Sequence, residues 1–281
     1  MPYLCEMDPE TGLLSADLDP AKGQELAPAY RAAQPFPHVM IEDFLPRTVI
    51  DLCLAEFTAF NPERAPTFNR AQERLKTQFN PDSLSIRART LFYGFNARPF
   101  LRTIENITGI EGLIPDPYFL GGGFHETTQG GHLSIHADFN HHKPMDLERR
   151  VNVLIYLNDD WDESYGGCLE LWDRGMKSRV QSYVPTCNRC VIFSTTTDSY
   201  HGNPEPVNHP RLVSRKSIAL YYYTSTWTEE KRGQTTQFRV RKGTDDRIDW
   251  TVKRNELIAD LIPPVLARSV RRIRASRRRR D

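Results

Sequence analysis

Hydrophobic positions recur along this chain in two regimes. Over residues 47–60, Val49, Ile50, Leu52, Cys53, Phe57 and Phe60 fall at near-helical spacing. Over residues 87–107, Phe92, Phe95, Phe100, Leu101 and Ile104 do the same, so the pattern predicts two supporting helices. From about residue 118 the period shortens. Short apolar or alternating runs, separated by clusters of Gly, Asn and Asp, occupy 118–125, 133–136, 151–157, 168–172, 178–184, 190–194 and 217–224. Runs of this length and spacing predict an antiparallel sandwich or barrel. The run 151–157 is the most apolar and is expected at the centre of the sheet. Ahead of the helices, 35–46 reads as a short strand and turn, residues 1–34 as irregular cover, and the basic stretch 61–83 matches no element. The chain thus divides into a support region (1–117), a β core (118–228) and a C-terminal extension (229–281).

Composition narrows the class. With 281 residues, 39% hydrophobic, 26% charged and 20 prolines, this is a loop-rich globular chain. No apolar run approaches the ~18 residues of a membrane span. The N-terminus lacks a basic-then-apolar leader, so the reading is a cytoplasmic protein. Five cysteines make no disulfide framework, and Cys187-x-x-Cys190 runs directly into the apolar residues 191–193, which favours a structural role.

Charge is distributed unevenly. Residues 268–281 hold eight arginines and one aspartate, a net of +7; taking this from the total of +1 leaves −6 for the rest. After Pro263-Pro264, the residues Val265, Leu266, Val270 and Ile273 recur at near-helical spacing among the arginines. Such a segment suits an anionic membrane surface, which would make the protein peripheral to the inner face of a membrane. A solvated tail accounts for it equally well. Nucleic acid is not indicated, because no aromatic stacking platform accompanies the charge.

Candidate chemistry centres on His136-Ala137-Asp138. Side chains two positions apart on extended backbone point the same way, so an imidazole and a carboxylate can share one face. His201, far downstream, can complete a set of two histidines and one carboxylate, the arrangement that binds non-haem Fe(II) with open positions. His-x-Asp alone is a weak signal. His132, His141 and His142 lie nearby without fitting the set and read as loop residues or substrate contacts.

What strengthens it is the order of the blocks around it. Gly130-x-x-Leu133-x-x-His136-x-Asp138 is followed by Arg149 with Tyr156-Leu157-Asn158, by Gly166-Gly167-x-Leu169-Glu170-Leu171, by Phe193-Ser194 ahead of His201, and by Arg215-Lys216-Ser217-Ile218-Ala219-Leu220-Tyr221-Tyr222. Together these resemble the Fe(II)- and 2-oxoglutarate-dependent oxygenases, in their prolyl-4-hydroxylase-like branch, over about residues 118–226. The resemblance implies a mainly β chain with flanking helices, folded as a double-stranded β-helix, a cupin-like jelly-roll barrel. It implies a hydroxylase that uses Fe(II), 2-oxoglutarate and dioxygen, with ascorbate as a supporting reductant, and releases succinate and carbon dioxide. His136, Asp138 and His201 would be the metal ligands and the catalytic centre. Asp138 favours hydroxylation, since halogenating relatives lack that carboxylate.

The distal carboxylate of 2-oxoglutarate calls for a charge-assisted, preferably bidentate donor. By the resemblance this is Arg215, supported by Tyr156 and Ser217. Arg211, ten positions after His201, is the competing candidate, although it follows His209-Pro210 in what reads as a loop. Substrate choice, among small molecules, peptidyl groups and envelope-linked compounds, would reside in the loops 61–83, 140–148 and 159–165. The reading from another class is a jelly-roll binding module that retains a metal, turns nothing over, and is brought to anionic surfaces by its tail.

Overall fold

The computed structural model describes residues 1–8, 10–59, 65–228, 230, 231, 233–244 and 246. In chain order these form α1 (Ala27–Ala32), β1 (His38–Ile41), α2 (Arg47–Ala59), β2 (Thr67–Phe68), β3 (Glu73–Phe79), α3 (Ile86–Phe95) and α4 (Arg98–Thr108). There follow β4 (Ile114–Pro115), β5 (Gly123–Ala137), β6 (His141–His142), β7 (Leu147–Tyr156), β8 (Leu169–Trp172), β9 (Arg179–Tyr183), β10 (Cys190–Ser194), β11 (His201–Asn203), β12 (Arg215–Thr224) and β13 (Gln237–Phe238).

The helix expected over 87–107 is two helices. Pro99 has no N–H, and in a continuous helix its ring would meet the carbonyl of Phe95. The chain breaks at Asn96 and Ala97, restarts with Pro99 in the first turn of α4, and ends at Gly109 with φ 71°. At the start of α3 the Ser85 hydroxyl accepts from the Ala88 amide, as an N-cap should.

The strands form one curled antiparallel sheet, in the order β1-β10-β7-β12-β5-β11-β8-β9, with the short strands attached alongside. The run expected as two strands, 118–125 and 133–136, is the single strand β5, preceded by a turn. β5 is the spine of the sheet and pairs with β3, β11, β12 and β13. Its first residue, Gly123, sits at φ 112°, and a Cβ there would lie 2.4 Å from the Phe79 carbonyl oxygen, so only glycine lets β3 approach.

The apolar run 151–157 is buried on both faces. Val151, Val153 and Ile155 join Val49, Phe92, Phe95, Phe100 and Ile104 in the main core between sheet and helices. The alternate residues Asn152 and Leu154 face a cavity inside the curl. One strand therefore serves as both floor of the core and wall of the site.

Both neighbouring regions of sequence also enter the sheet. β1 lies beside β10, β3 beside β5, and β13, from the extension, beside the end of β5. Residues 1–244 cluster as one unit. The basic amphipathic stretch 265–281 lies outside the described residues. Cys187 and Cys190 are free thiols, as are the other three cysteines. Among the described residues no helix is long and apolar enough to cross a membrane.

Candidate active site

His136 and His201 are register partners across β5 and β11, which brings their ring centroids to 4.5 Å. Asp138 follows two positions on from His136, just beyond the end of the strand, on the same face. Its Oδ1 lies 3.5 Å from His136 Nε2 and its Oδ2 3.4 Å from His201 Nε2. One donor atom from each of the three residues falls within 4.8 Å of the others, and all three side chains are buried. The sequence brings a long strand and a three-residue strand into register, which pairs the two histidines, and Asp138 joins them from the residue just past the strand end.

The tautomers suit a metal. Each Nδ1 lies 2.9 Å from a backbone carbonyl, Ser134 for His136 and Ser199 for His201, so Nδ1 carries the proton and the Nε2 lone pair is presented to the centre. Burial, partly offset by Asp138, pushes His201 down to about 4, which keeps it neutral at ordinary pH. Burial opposes the charge on Asp138, yet the Arg149 guanidinium beside it holds the carboxyl well below its usual range. Two imidazoles presenting Nε2 and one carboxylate in a buried cluster fit a divalent first-row metal with coordination positions to spare.

The trio lines one part of a cavity of about 260 Å³ that continues to Arg215 and Ser217. Arg215, at the start of β12, is buried, and its Nε donates to the Gly167 carbonyl at 2.7 Å. The guanidinium carbon stands 5.0 Å from the centre of the Tyr156 ring. Ser217 and Tyr156 are register partners on β12 and β7. The Tyr156 hydroxyl is buried without a hydrogen-bond partner among the described residues, and burial pushes its pKa up to about 12 against the pull of Arg215. Burying a cation and an unpaired hydroxyl costs free energy unless an acceptor arrives. A carboxylate between them satisfies both. Gly167 (φ 69°) is what allows Arg215 into this place, because a Cβ there would lie 2.8 Å from the Arg215 Cδ. Leu154 and Leu169 supply apolar wall between the polar ends.

Arg211 lies elsewhere: its side chain is 66% exposed and its nearest acid is Asp160 at 3.8 Å. The three histidines that neighbour the motif in sequence are not loop residues at the cavity. His132 is on β5, His141 stacks on Trp227 at 4.0 Å, and the fully buried His142 bonds Asp116 at 3.1 Å. None of them lines the cavity.

Residues 122–223 match the family model described as the 2OG-Fe(II) oxygenase superfamily. These residues form a 2OG-Fe(II) oxygenase domain. The chain is 32% identical over 84 residues to prolyl 3-hydroxylase OGFOD1 of Mus musculus, a match spanning 28% of this chain and only 15% of that protein. In fold it is similar to a prolyl-4-hydroxylase of Pseudomonas putida (TM-score 0.50, 16% identity, 71% of this chain and 98% of that one). It is also similar to the prolyl hydroxylase of Trichoplax adhaerens solved with a hypoxia-inducible-factor peptide (TM-score 0.53, 17% identity, 71% and 88%). The oxygenase domain carries the double-stranded β-helix of these structures, and iron and 2-oxoglutarate are the groups its family uses.

The oxygenase domain also contains polar residues that sequence reading left unassigned. Arg149 and Asn152 are buried beside Asp138, with Asn152 Nδ2 donating to Asp138 Oδ2 at 2.8 Å and Arg149 Nη2 lying 3.1 Å from the same oxygen. The signal was present: an asparagine inside the apolar run 151–157 requires a buried partner. Two further walls come from outside the domain. The β2–β3 hairpin brings Phe68, Arg70, Glu73 and Lys76 to the cavity, and β13 brings Phe238 to within 5.4 Å of the His136 ring.

Proposed function

We propose that this protein is an Fe(II)- and 2-oxoglutarate-dependent dioxygenase that hydroxylates an unactivated C–H bond. The observation that carries this reading is the sharing of one cavity by a three-residue metal set and, beyond apolar wall, the buried Arg215, whose guanidinium carbon stands 5.0 Å from the ring of Tyr156, a residue with a buried and partnerless hydroxyl. A metal-binding module without turnover has no use for a carboxylate seat at that position.

His136, Asp138 and His201 would hold the iron, and Arg215, Tyr156 and Ser217 the distal carboxylate of the co-substrate. When bound, iron would activate dioxygen, the oxidant, with 2-oxoglutarate as a two-electron reductant: one oxygen atom would enter the substrate as hydroxyl, the other would enter succinate, and carbon dioxide would leave. The protein's own residues orient and exclude. Arg215 fixes the far end of the co-substrate by charge and direction. Leu154, Leu169 and Phe238 keep water from the reacting end.

For the substrate, the charges around the cavity favour an anionic group on a small molecule or peptide, including an envelope-linked one. Arg70, Lys76, Arg149 and Arg215 face Glu73 and Asp138, and iron and the 2-oxoglutarate dianion cancel each other, so positive charge remains in excess. The arginines at 268–281 supply a separate attraction, which we assign to an anionic lipid surface. Co-sedimentation with phosphatidylserine vesicles should be lost when residues 265–281 are removed.

The experiment for the activity itself is succinate release across substrate panels built as carboxylate and amide pairs. Turnover stimulated by a carboxylate member, and lost in His136→Ala, supports the reading. Succinate release by metal-stripped His136→Ala at the wild-type rate would sink it.

A further inference from the structure

The surroundings of Asp138 point to a role for two side chains outside the ligand set. We propose that Arg149 and Asn152 are positioning residues that hold Asp138 as a one-oxygen metal ligand, and so keep the coordination positions needed by the co-substrate open. This rests on the oxygenase reading.

Both residues are nearly inaccessible, at 3% and 2% exposure, on a strand whose other inward residues include Leu154 and Tyr156. A buried arginine and amide are costly unless every polar atom has work. Here the amide bridges cation and anion. Asn152 Oδ1 accepts from Arg149 Nε at 3.0 Å and from Nη2 at 2.8 Å, while Asn152 Nδ2 donates to Asp138 Oδ2 at 2.8 Å. Rotating the amide by half a turn would set NH₂ against the guanidinium and a carbonyl against the carboxylate, so its orientation is determined.

The guanidinium cannot swing away. Its central carbon lies 3.6 Å from the Tyr221 ring centre and 4.5 Å from that of Phe139, a cation held between two aromatic faces. Asp138 Oδ2 is thereby engaged by two donors, and Oδ1 is left for a metal. A carboxylate free to bind through both oxygens would take one of the positions that a bidentate 2-oxo acid and dioxygen require. The nearby positive charge also leaves the centre better able to attract a dianion.

The test uses the full chain loaded with Mn(II) or Co(II), so that it reads the metal site and not turnover. Asn152→Leu keeps the side chain's shape and removes its donor; Mn(II) affinity should fall on the order of 10- to 100-fold, as for other residues that orient a ligand. Arg149→Ala removes one of the two donors to Oδ2 and the guanidinium that orients the other, Asn152. Its Co(II) ligand-field spectrum should report an added oxygen ligand, and 2-oxoglutarate binding should weaken at least about tenfold.

Millimolar guanidinium ion should restore both properties of Arg149→Ala by refilling the slot between Phe139 and Tyr221, whereas equal sodium chloride should not. A structural role alone would not give that rescue. Arg149→Lys, which keeps charge and bulk with a one-point donor, serves if the alanine variant does not fold, and its Co(II) spectrum should also depart from wild type. Folded variants with wild-type Mn(II) affinity and an unchanged Co(II) spectrum overturn the proposal. Wild-type protein that binds Mn(II) but not 2-oxoglutarate would instead count against the oxygenase reading.

Discussion

His136 and His201 face each other as a register pair, 65 positions apart in sequence and 4.5 Å apart between ring centres. The site is therefore a product of strand pairing, and its ligands rest on elements whose backbone hydrogen bonds hold them. Replacing one ligand should empty the site without unfolding the barrel. His136→Ala and Asp138→Ala are expected to lose stoichiometric metal binding in equilibrium dialysis and to lose turnover by at least a hundredfold, with unchanged far-ultraviolet circular dichroism.

The carboxylate seat makes two predictions that differ in size. Arg215→Met should weaken 2-oxoglutarate by about 1.5–3 kcal/mol, roughly 10- to 150-fold, the range for a hydrogen bond to a charged group. Tyr156→Phe should weaken it by only about 2- to 10-fold, yet leave the ligand-free protein as stable as wild type or more so, because it deletes a buried hydroxyl that has no partner there. Isothermal titration and thermal unfolding of the same samples check both.

Gly167→Ala tests whether Arg215 is placed from behind. The Cβ would press on the Arg215 Cδ at a backbone angle unfavourable to alanine. Co-substrate affinity should fall at least about fivefold with the metal ligands intact, a selective loss that titration in Mn(II)-loaded protein would reveal. Equal affinity in the two proteins would mean that Arg215 has room elsewhere.

Sequence periodicity exposed the supporting helices and most of the strands, and the ordered blocks pointed to His136, Asp138 and His201, which the fold gathers into one cluster, and to Arg215 and Ser217, which line the same cavity, with Tyr156 beside Arg215. Three things stayed hidden for physical reasons. The β2–β3 hairpin is polar and basic because its side chains face a cavity and solvent, so it carries no apolar alternation to read. β13 is two residues long, and it becomes a strand only through pairing with the end of β5. The partnership of Arg149 with Asp138 depends on how β7 enters the curl, which no spacing within residues 138–152 encodes. The break between α3 and α4 is legible at Pro99, because a missing N–H outweighs apolar spacing inside a helix.

Acid should destabilise the protein through His125. It is buried, bonded to the Gly121 carbonyl at 2.9 Å, and burial, with Lys76 adding, holds its pKa well below 6.5. Above pH 6.5 neither folded nor unfolded chain protonates it, and its contribution is flat. As pH falls through about 6.5 the unfolded chain takes a proton that the folded one refuses, so stability declines until the lowered folded pKa is reached, by at most about 1.4 kcal/mol per pH unit. Denaturant midpoints at pH 7.5 and 5.5 should differ less in His125→Gln than in wild type. An identical difference in both proteins would exclude His125 as a source.

The central claim is that one cavity seats iron at His136, Asp138 and His201 and 2-oxoglutarate between that iron and Arg215. Anaerobic titration of 2-oxoglutarate into the Fe(II)-loaded protein tests it most directly, through the visible charge-transfer band that arises when a 2-oxo acid chelates ferrous iron. The account predicts a saturable band in wild type, a titration displaced to roughly 10- to 150-fold higher concentration in Arg215→Met, and no band in His136→Ala. A wild-type site filled with iron that gives no band at saturating 2-oxoglutarate would contradict it.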